Sequence, residues 1–175
     1  MLVLGIDPGT AVTGYGLVER ASDRSMRLIE CGVIRTSPRS PLAQRLREIF
    51  EGVTDLMVRH QPEAVAVEGI FFGKNARSAM VLGHARGAVL LAASLQDRDV
   101  AEYPPAEVKS AIVGTGRATK DQIGFMTQKL LKLREAPRPE DAADGVAVAI
   151  CHCFRSPIGP SMSTPLLHSP RTVTR

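Results

Sequence analysis

The order of apolar segments along the chain is the feature that most restricts its fold. Three strand-like segments come before any helical one, and helical and strand-like segments then alternate. The predicted strands span residues 2–7, 14–19, 26–35, 64–68 and 100–103. The predicted helices span residues 41–60, 75–96, 106–113, 120–133 and 141–154. This order predicts an α/β domain in which a mixed five-stranded sheet is flanked by helices.

Turn signals and a change in composition set the expected limits of the domain. Asp7 begins an Asp-Pro-Gly turn after the first strand, and residues 20–25 have the composition of a hairpin loop. The first three strands are therefore expected to be antiparallel. From residue 156 onward, proline, serine, threonine and glycine dominate without hydrophobic periodicity. We expect one domain over residues 1–155 and a disordered tail over residues 156–175.

Composition and cysteine usage argue against several classes of protein. Hydrophobic residues make up 44% of the chain and charged residues 23%, as in an ordinary soluble domain. No apolar run reaches the roughly 18 residues that a membrane span needs, and no targeting peptide is evident. The three cysteines lack disulfide-framework spacing, and the thiols of Cys151 and Cys153 would point apart on a helix. The sequence therefore indicates a reduced, cytoplasmic protein with no membrane partner.

Basic residues are concentrated in two zones of the chain. Residues 69–96 contain Lys74, Arg77 and Arg86 and no acid. Residues 108–134 contain six basic residues and a single acid, Asp121. Basic zones beside an acidic cluster indicate a polyanionic ligand that meets cations at the acids. Solvated helix faces are the alternative explanation for the last three basic residues of the second zone, which are Lys129, Lys132 and Arg134.

Four carboxylates stand at the ends of predicted elements. Asp7 ends the first strand, Glu68 ends the fourth, and Asp141 and Asp144 open the last helix. Each has an ordinary explanation on its own, as a turn residue, a strand end or a helix N-terminus. Asp141 and Asp144 share one helix face, where a divalent cation would convert their repulsion into coordination. Oxygen ligands select Mg²⁺ or Mn²⁺ over zinc, so together the acids predict a two-metal nuclease.

Small residues accompany these acids. Gly9 and Gly14 follow Asp7, Gly69 follows Glu68, and Gly145 follows Asp144. We interpret them as positions that leave room for a ligand to approach the carboxylates closely.

Several short motifs follow one another in a specific order along the chain. They are 5–10 (GIDPGT), 13–16 (TGYG), Glu68 with Phe71, 74–75 (KN), 78–79 (SA), 82–87 (LGHARG) and 141–144 (DAAD). This ordered set resembles the RuvC family of Holliday-junction resolvases, and the resemblance covers roughly residues 1–154 without large gaps. Two positions depart from what is expected in relatives, because Gly69 and His84 both stand where glutamine is frequent. Either departure could alter the metal surroundings or the sequence preference.

The resemblance implies an RNase H-like fold and a homodimer that nicks two like-polarity strands of a four-way DNA junction. It also implies two Mg²⁺ or Mn²⁺ ions per active site, a role in recombination and repair, and cooperation with a branch-migration complex of RuvA and RuvB. By position, the catalytic and metal-binding residues are Asp7, Glu68, Asp141 and Asp144. The implied DNA contacts are Phe71 at the junction centre, Lys109 and Lys120 near the active site, and Lys74 and Arg77 on the DNA backbone.

Dimerisation has a correlate in the sequence. Ala79, Gly83 and Gly87 recur every four residues on a predicted helix, which gives a smooth stripe. A helix of a second copy could pack closely on this stripe, and packing against the chain's own sheet would explain it equally well.

Three other functions compete with junction cleavage. An ATPase of the actin and Hsp70 type shares the Asp-x-Gly-Thr pattern of residues 7–10, but it needs two such domains. A non-catalytic scaffold could bind junctions without cutting them. Another RNase H-like nuclease could act on RNA–DNA hybrids or other branched DNA, and the carboxylates do not separate these substrates. Only the matches at Phe71, Lys109 and Lys120 point to the junction.

Overall fold

The computed structural model describes residues 1–69 and 76–157, except for the side chains of residues 76–78. Its elements follow the predicted order, and their ends differ from the predicted ones by at most three residues. The strands are β1 (Leu2–Asp7), β2 (Val12–Arg20), β3 (Met26–Arg35), β4 (Ala64–Glu68) and β5 (Asp99–Tyr103). The helices are α1 (Leu42–His60), α2 (Ala76–Leu95), α3 (Pro105–Val113), α4 (Lys120–Leu130) and α5 (Glu140–Arg155).

The five strands form one mixed sheet in the order β3-β2-β1-β4-β5. The first three strands are antiparallel, as expected, whereas β4 runs parallel to both β1 and β5. In the β1–β4 pair, Ile6 lies opposite Val67. The next residue of each strand, Asp7 and Glu68, therefore emerges at the same edge of the sheet.

Helices cover both faces of the sheet. Helices α1 and α2 pack on one face over Leu4, Leu17 and Val65, and α3 and α5 pack on the other over Val3 and Val18. Because the central strands are buried on both faces, their sequences are almost continuously apolar. Burial of each such aliphatic side chain stabilises the fold by about 1.5–3 kcal/mol. Strand alternation places Asp7 on the same face as Val3, towards α5.

Helix α5 lies directly against the backbone of β1 and β2 along the glycine seam, a line of glycines that includes Gly14 and Gly145. A Cβ atom on Gly14 would overlap the carbonyl oxygen of Asp141, and one on Gly145 would lie 2.6 Å from Cα of Tyr15. A Cβ atom on Gly9 would overlap the carbonyl oxygen of Val12. The interpretation of these three glycines as room for a ligand was therefore wrong, because protein backbone fills the space beside each.

The remaining observations concern the chain as a whole. Among the helices that the structure describes, none is long and apolar enough to cross a membrane. The three cysteines are free, and Cys151 and Cys153 are buried in the core. The expected disordered tail falls largely on residues 158–175, which lie outside the described residues.

Candidate active site

Asp7 and Glu68 form the centre of the site. Their carboxyl groups lie side by side at the ends of β1 and β4 and share a hydrogen bond. Burial, followed by the charge of Asp7, raises the pKa of Glu68 to about 8. Burial also raises the pKa of Asp7. The pair therefore holds one proton near neutral pH, because two adjacent half-buried carboxylates repel each other.

The first turns of α5 add two more carboxylates. The negative charges of Asp144 and Asp141 both act on Asp7, and burial raises the pKa of Asp144 itself. The glycine seam explains this placement, because it lets the N-terminal end of α5 lie directly on β1 and β2. The structure thus brings together all four carboxylates that the sequence singled out, from three separate elements.

Two lysines lie beside the acids. Lys120 begins α4, and its Nζ atom is 3.6 Å from Oδ2 of Asp144 and 3.2 Å from Oε2 of Glu140. Hydrogen bonding to Glu140, followed by the charge of Asp144, raises the pKa of Lys120. Lys109 on α3 is close enough for its charge to oppose the rise in the pKa of Glu68. Lys120 therefore contacts the carboxylate cluster directly, and Lys109 is near enough for its charge to act on Glu68.

Sequence reasoning missed Glu140. This residue pairs with Lys120 and is the first residue of α5. Its position directly before Asp141 was the available signal. That signal was weak, because a helix N-terminus favours acidic residues for purely structural reasons. Glu140 is widely exposed, so it extends the negative surface outward from the buried pair.

The other predicted residues fall in different places. Phe71 and Lys74 lie outside the described residues, and the side chain of Arg77 is not described. His84 lines a groove between α1 and α2 with Leu46, not the carboxylate cluster. Its position therefore gives no support to an effect on the metal surroundings. The amide of Gly69 donates a 2.8 Å hydrogen bond to the carbonyl of Tyr103, which continues the pairing of β4 with β5.

The site fits divalent cations in charge and in donor type. The donors are carboxylate oxygens, which Mg²⁺ and Mn²⁺ prefer. Burial raises the pKa of both Asp7 and Glu68, and the charge of Asp7 raises that of Glu68 further; a bound cation would relieve this. Over residues 1–69 and 76–157, no three acidic, histidine or cysteine side chains already stand in a coordinating arrangement.

Comparison with known proteins identifies the family. Residues 3–152 match the family model described as crossover junction endodeoxyribonuclease RuvC. Relatives of that name from Desulforamulus reducens and Pelotomaculum thermopropionicum are each 51% identical over 152 residues. These alignments cover 87% of this chain and 93% and 92% of the respective relatives.

Solved structures agree with the sequence comparison. The structure described as T. thermophilus RuvC in complex with Holliday junction substrate aligns with a TM-score of 0.81 and 38% identity, over 88% of this chain and 94% of that one. The yeast mitochondrial Holliday junction resolvase Ydc2, at 12% identity and a TM-score of 0.64, shares the fold. The predicted RNase H-like fold is confirmed. The chain belongs to the RuvC family of crossover junction endodeoxyribonucleases.

Proposed function

We propose that the protein is a metal-dependent endonuclease that resolves four-way DNA junctions by paired symmetric nicks during recombination and repair. The observation that carries this proposal is the convergence of Asp7, Glu68, Asp141 and Asp144 at one sheet edge, beside Lys120. A family member that is 38% identical was solved with a Holliday junction substrate, which supports the choice of DNA.

The four carboxylates would hold two Mg²⁺ or Mn²⁺ ions. When bound, such ions supply Lewis-acid stabilisation of the phosphate and activate a water for attack. Asp7 and Glu68 extend from adjacent strands of the sheet, so their backbone positions are held by the β1–β4 pairing. Asp141 and Asp144 are held by the contact of α5 with the same sheet. The protein thus contributes a fixed spacing between two pairs of acidic ligands.

Lys109 and Lys120 would bind the phosphates that flank the cleaved bond. Support for these roles comes from the contact of Lys120 with Asp144, from its 68% exposure, which leaves it accessible to DNA, and from the effect of the Lys109 charge on Glu68. Phosphate contacts of this kind add affinity that falls as the salt concentration rises. They also place the scissile phosphate against an otherwise negative surface, which would repel DNA without them.

The proposed active form is a homodimer, as two symmetric nicks require two active sites. Helix α2 carries an exposed apolar stripe of Met80, Leu91 and Leu95, and a Cβ atom on Gly87 would meet nothing within 4 Å. This outward-facing surface favours packing against a second copy over packing against the sheet. The resemblance also supports cytoplasmic action with a branch-migration complex of RuvA and RuvB.

One cleavage experiment tests the proposed function. A labelled four-way junction, a linear duplex and an RNA–DNA hybrid are each incubated with Mg²⁺, Mn²⁺ or EDTA. Paired metal-dependent nicks in the junction alone are expected. Cutting of the hybrid would move the protein to another nuclease class with the same carboxylates. Tight junction binding with no cutting under either metal would indicate a scaffold.

A further inference from the structure

A groove of about 850 Å³ adjoins the carboxylate cluster. Helix α4, the segment 136–139 and the first turns of α5 form its walls. Asp144 and Lys120 belong to both the groove and the cluster. Its volume is within the range of sites that take small organic groups. Any group bound in this groove would therefore lie next to the phosphate that the carboxylates act on.

An exposed aromatic ring lines this groove. The side chain of Phe125 is 56% exposed on α4, and Nζ of Lys129 lies 5.4 Å from the centre of its ring. Among the described residues, Phe125 and Phe154 are the two exposed phenylalanine or tyrosine side chains, and only Phe125 lies in this groove. An exposed aromatic ring with a cation beside it is the kind of surface on which nucleobases stack.

The charges around the groove favour a base over a phosphate. Lys120 and Arg138 contribute positive charge, whereas Asp121, Glu140 and Asp144 contribute negative charge. The mixed charge gives no net attraction for a phosphate. Carboxylates accept hydrogen bonds from the N–H groups at the edge of a base. The remaining lining is largely apolar and suits a flat ring; it includes Ala136, Pro137 and Pro139.

We propose that this groove receives an unpaired nucleobase adjacent to the cleaved phosphate, and that the base stacks on Phe125. The inference rests on the proposed function, because it assigns part of the same DNA strand to the groove. Strand exchange at a junction can leave bases near the crossover free to leave the helical stack. Capture of such a base would position the phosphate next to it, so Phe125 is a positioning residue.

Cleavage kinetics of variants test the role of Phe125. Phe125→Ala should lower kcat/KM for junction cleavage on the order of tenfold, because it removes one base–aromatic stacking contact. Phe125→Tyr retains a ring and should retain most activity. Phe154→Ala is the matched control, since it removes a similarly exposed ring outside the groove. Thermal melting of each variant checks that the fold is unchanged.

An abasic series identifies the base. Junctions carrying a single abasic nucleotide at each position flanking the cut are cleaved by the unsubstituted protein and by Phe125→Ala. At one position, base removal should cost the unsubstituted protein about tenfold and the Phe125→Ala variant nothing further. Independent, additive losses at every position would overturn the stacking inference.

The two proposals fail in different ways. If the unsubstituted protein does not cut junctions, the proposed function is wrong, and the stacking inference falls with it. If it cuts junctions and Phe125→Ala cuts them equally well, only the stacking inference is wrong.

Discussion

Replacement of Glu68 by glutamine should stabilise the metal-free protein and abolish its activity. The pKa of Glu68 is raised from 4.5 to about 8, chiefly by burial and then by the charge of Asp7. Between these two values the folded state binds more protons than the unfolded state, so stability falls as pH rises. Full ionisation of Glu68 therefore works against folding, and Glu68→Gln removes that effect.

The size of the gain follows from the same shift. The ordinary pKa of Glu68 is 4.5, and pH 7 lies well above it but below the raised pKa. The gap between pH 7 and 4.5 corresponds to a loss of about 3 kcal/mol in the free energy of unfolding, since each pKa unit is worth roughly 1.4 kcal/mol. Partial exposure of the group and its shared proton with Asp7 reduce this to about 1–2 kcal/mol. For a chain of this length, that gain should raise Tm by about 2–8 °C.

Thermal melting in EDTA at pH 5 and pH 8 provides the measurement. Glu68→Gln should melt well above the unsubstituted protein at pH 8 and close to it at pH 5. Glu51→Gln is the matched control, because Glu51 is an exposed glutamate on α1. Its ion pair is a surface contact, in which Oε1 lies 3.7 Å from Nε of Arg47. This control should shift stability by at most about 0.5 kcal/mol at either pH. Mg²⁺ should then stabilise the unsubstituted protein more than Glu68→Gln.

A Glu68→Gln variant that melts no higher than the unsubstituted protein at pH 8 in EDTA would show that ionisation of Glu68 does not destabilise the fold. An equally large gain at pH 5 would show the same, since a gain independent of pH cannot come from ionisation of this carboxyl. In either case the acids at the sheet edge would be better compensated than the geometry indicates.

Four other predictions concern catalysis, DNA binding, packing and assembly. Asp7→Asn should abolish junction cleavage and leave binding in a gel-shift assay within a few fold, because it removes ligand charge and no basic surface; full activity would contradict its assigned role. Lys120→Ala should weaken junction binding and reduce the slope of log affinity against log salt by about 1. Gly14→Ala should destabilise the protein by about 1–3 kcal/mol in urea unfolding, since its Cβ would overlap the α5 backbone, whereas Gly87→Ala should be neutral or stabilising. Leu91→Glu should shift the protein towards monomer in light scattering; an unchanged dimer would move the interface away from the α2 stripe.

Local patterns were sufficient to predict most elements and the position of the acids. Strand alternation and turn residues placed Asp7 and Glu68 at strand ends, where parallel pairing then brings them together. The end of α4 was less well predicted, because Leu131 and Leu133 continue the apolar pattern while the helix ends at Leu130. Lys132 adopts a φ of 53°, and the amide of Leu133 closes the end by bonding to the carbonyl of Gln128 at 2.9 Å. Glycine is the usual signal for such an ending, and none is present there.

Two features depend on tertiary contacts and could not be predicted from the sequence: the role of the glycines and the groove beside Phe125. The spacing of small residues does not distinguish space for a ligand from space for another backbone segment, and at Gly14 and Gly145 the second explanation holds. The groove beside Phe125 was not foreseen either, because its walls come from segments that meet only in the folded chain.

The glycine seam has a consequence for how the metal preference of this enzyme could be altered. Main-chain contact, with no side chain between, sets the separation between the strand-borne acids and α5. Exchanging Asp144 for glutamate or histidine would therefore change the reach and softness of one ligand and leave the backbone frame in place. Variants of Asp144 could thus select a different ion without redesign of the surrounding fold, whereas a substitution at Gly14 would change the frame itself.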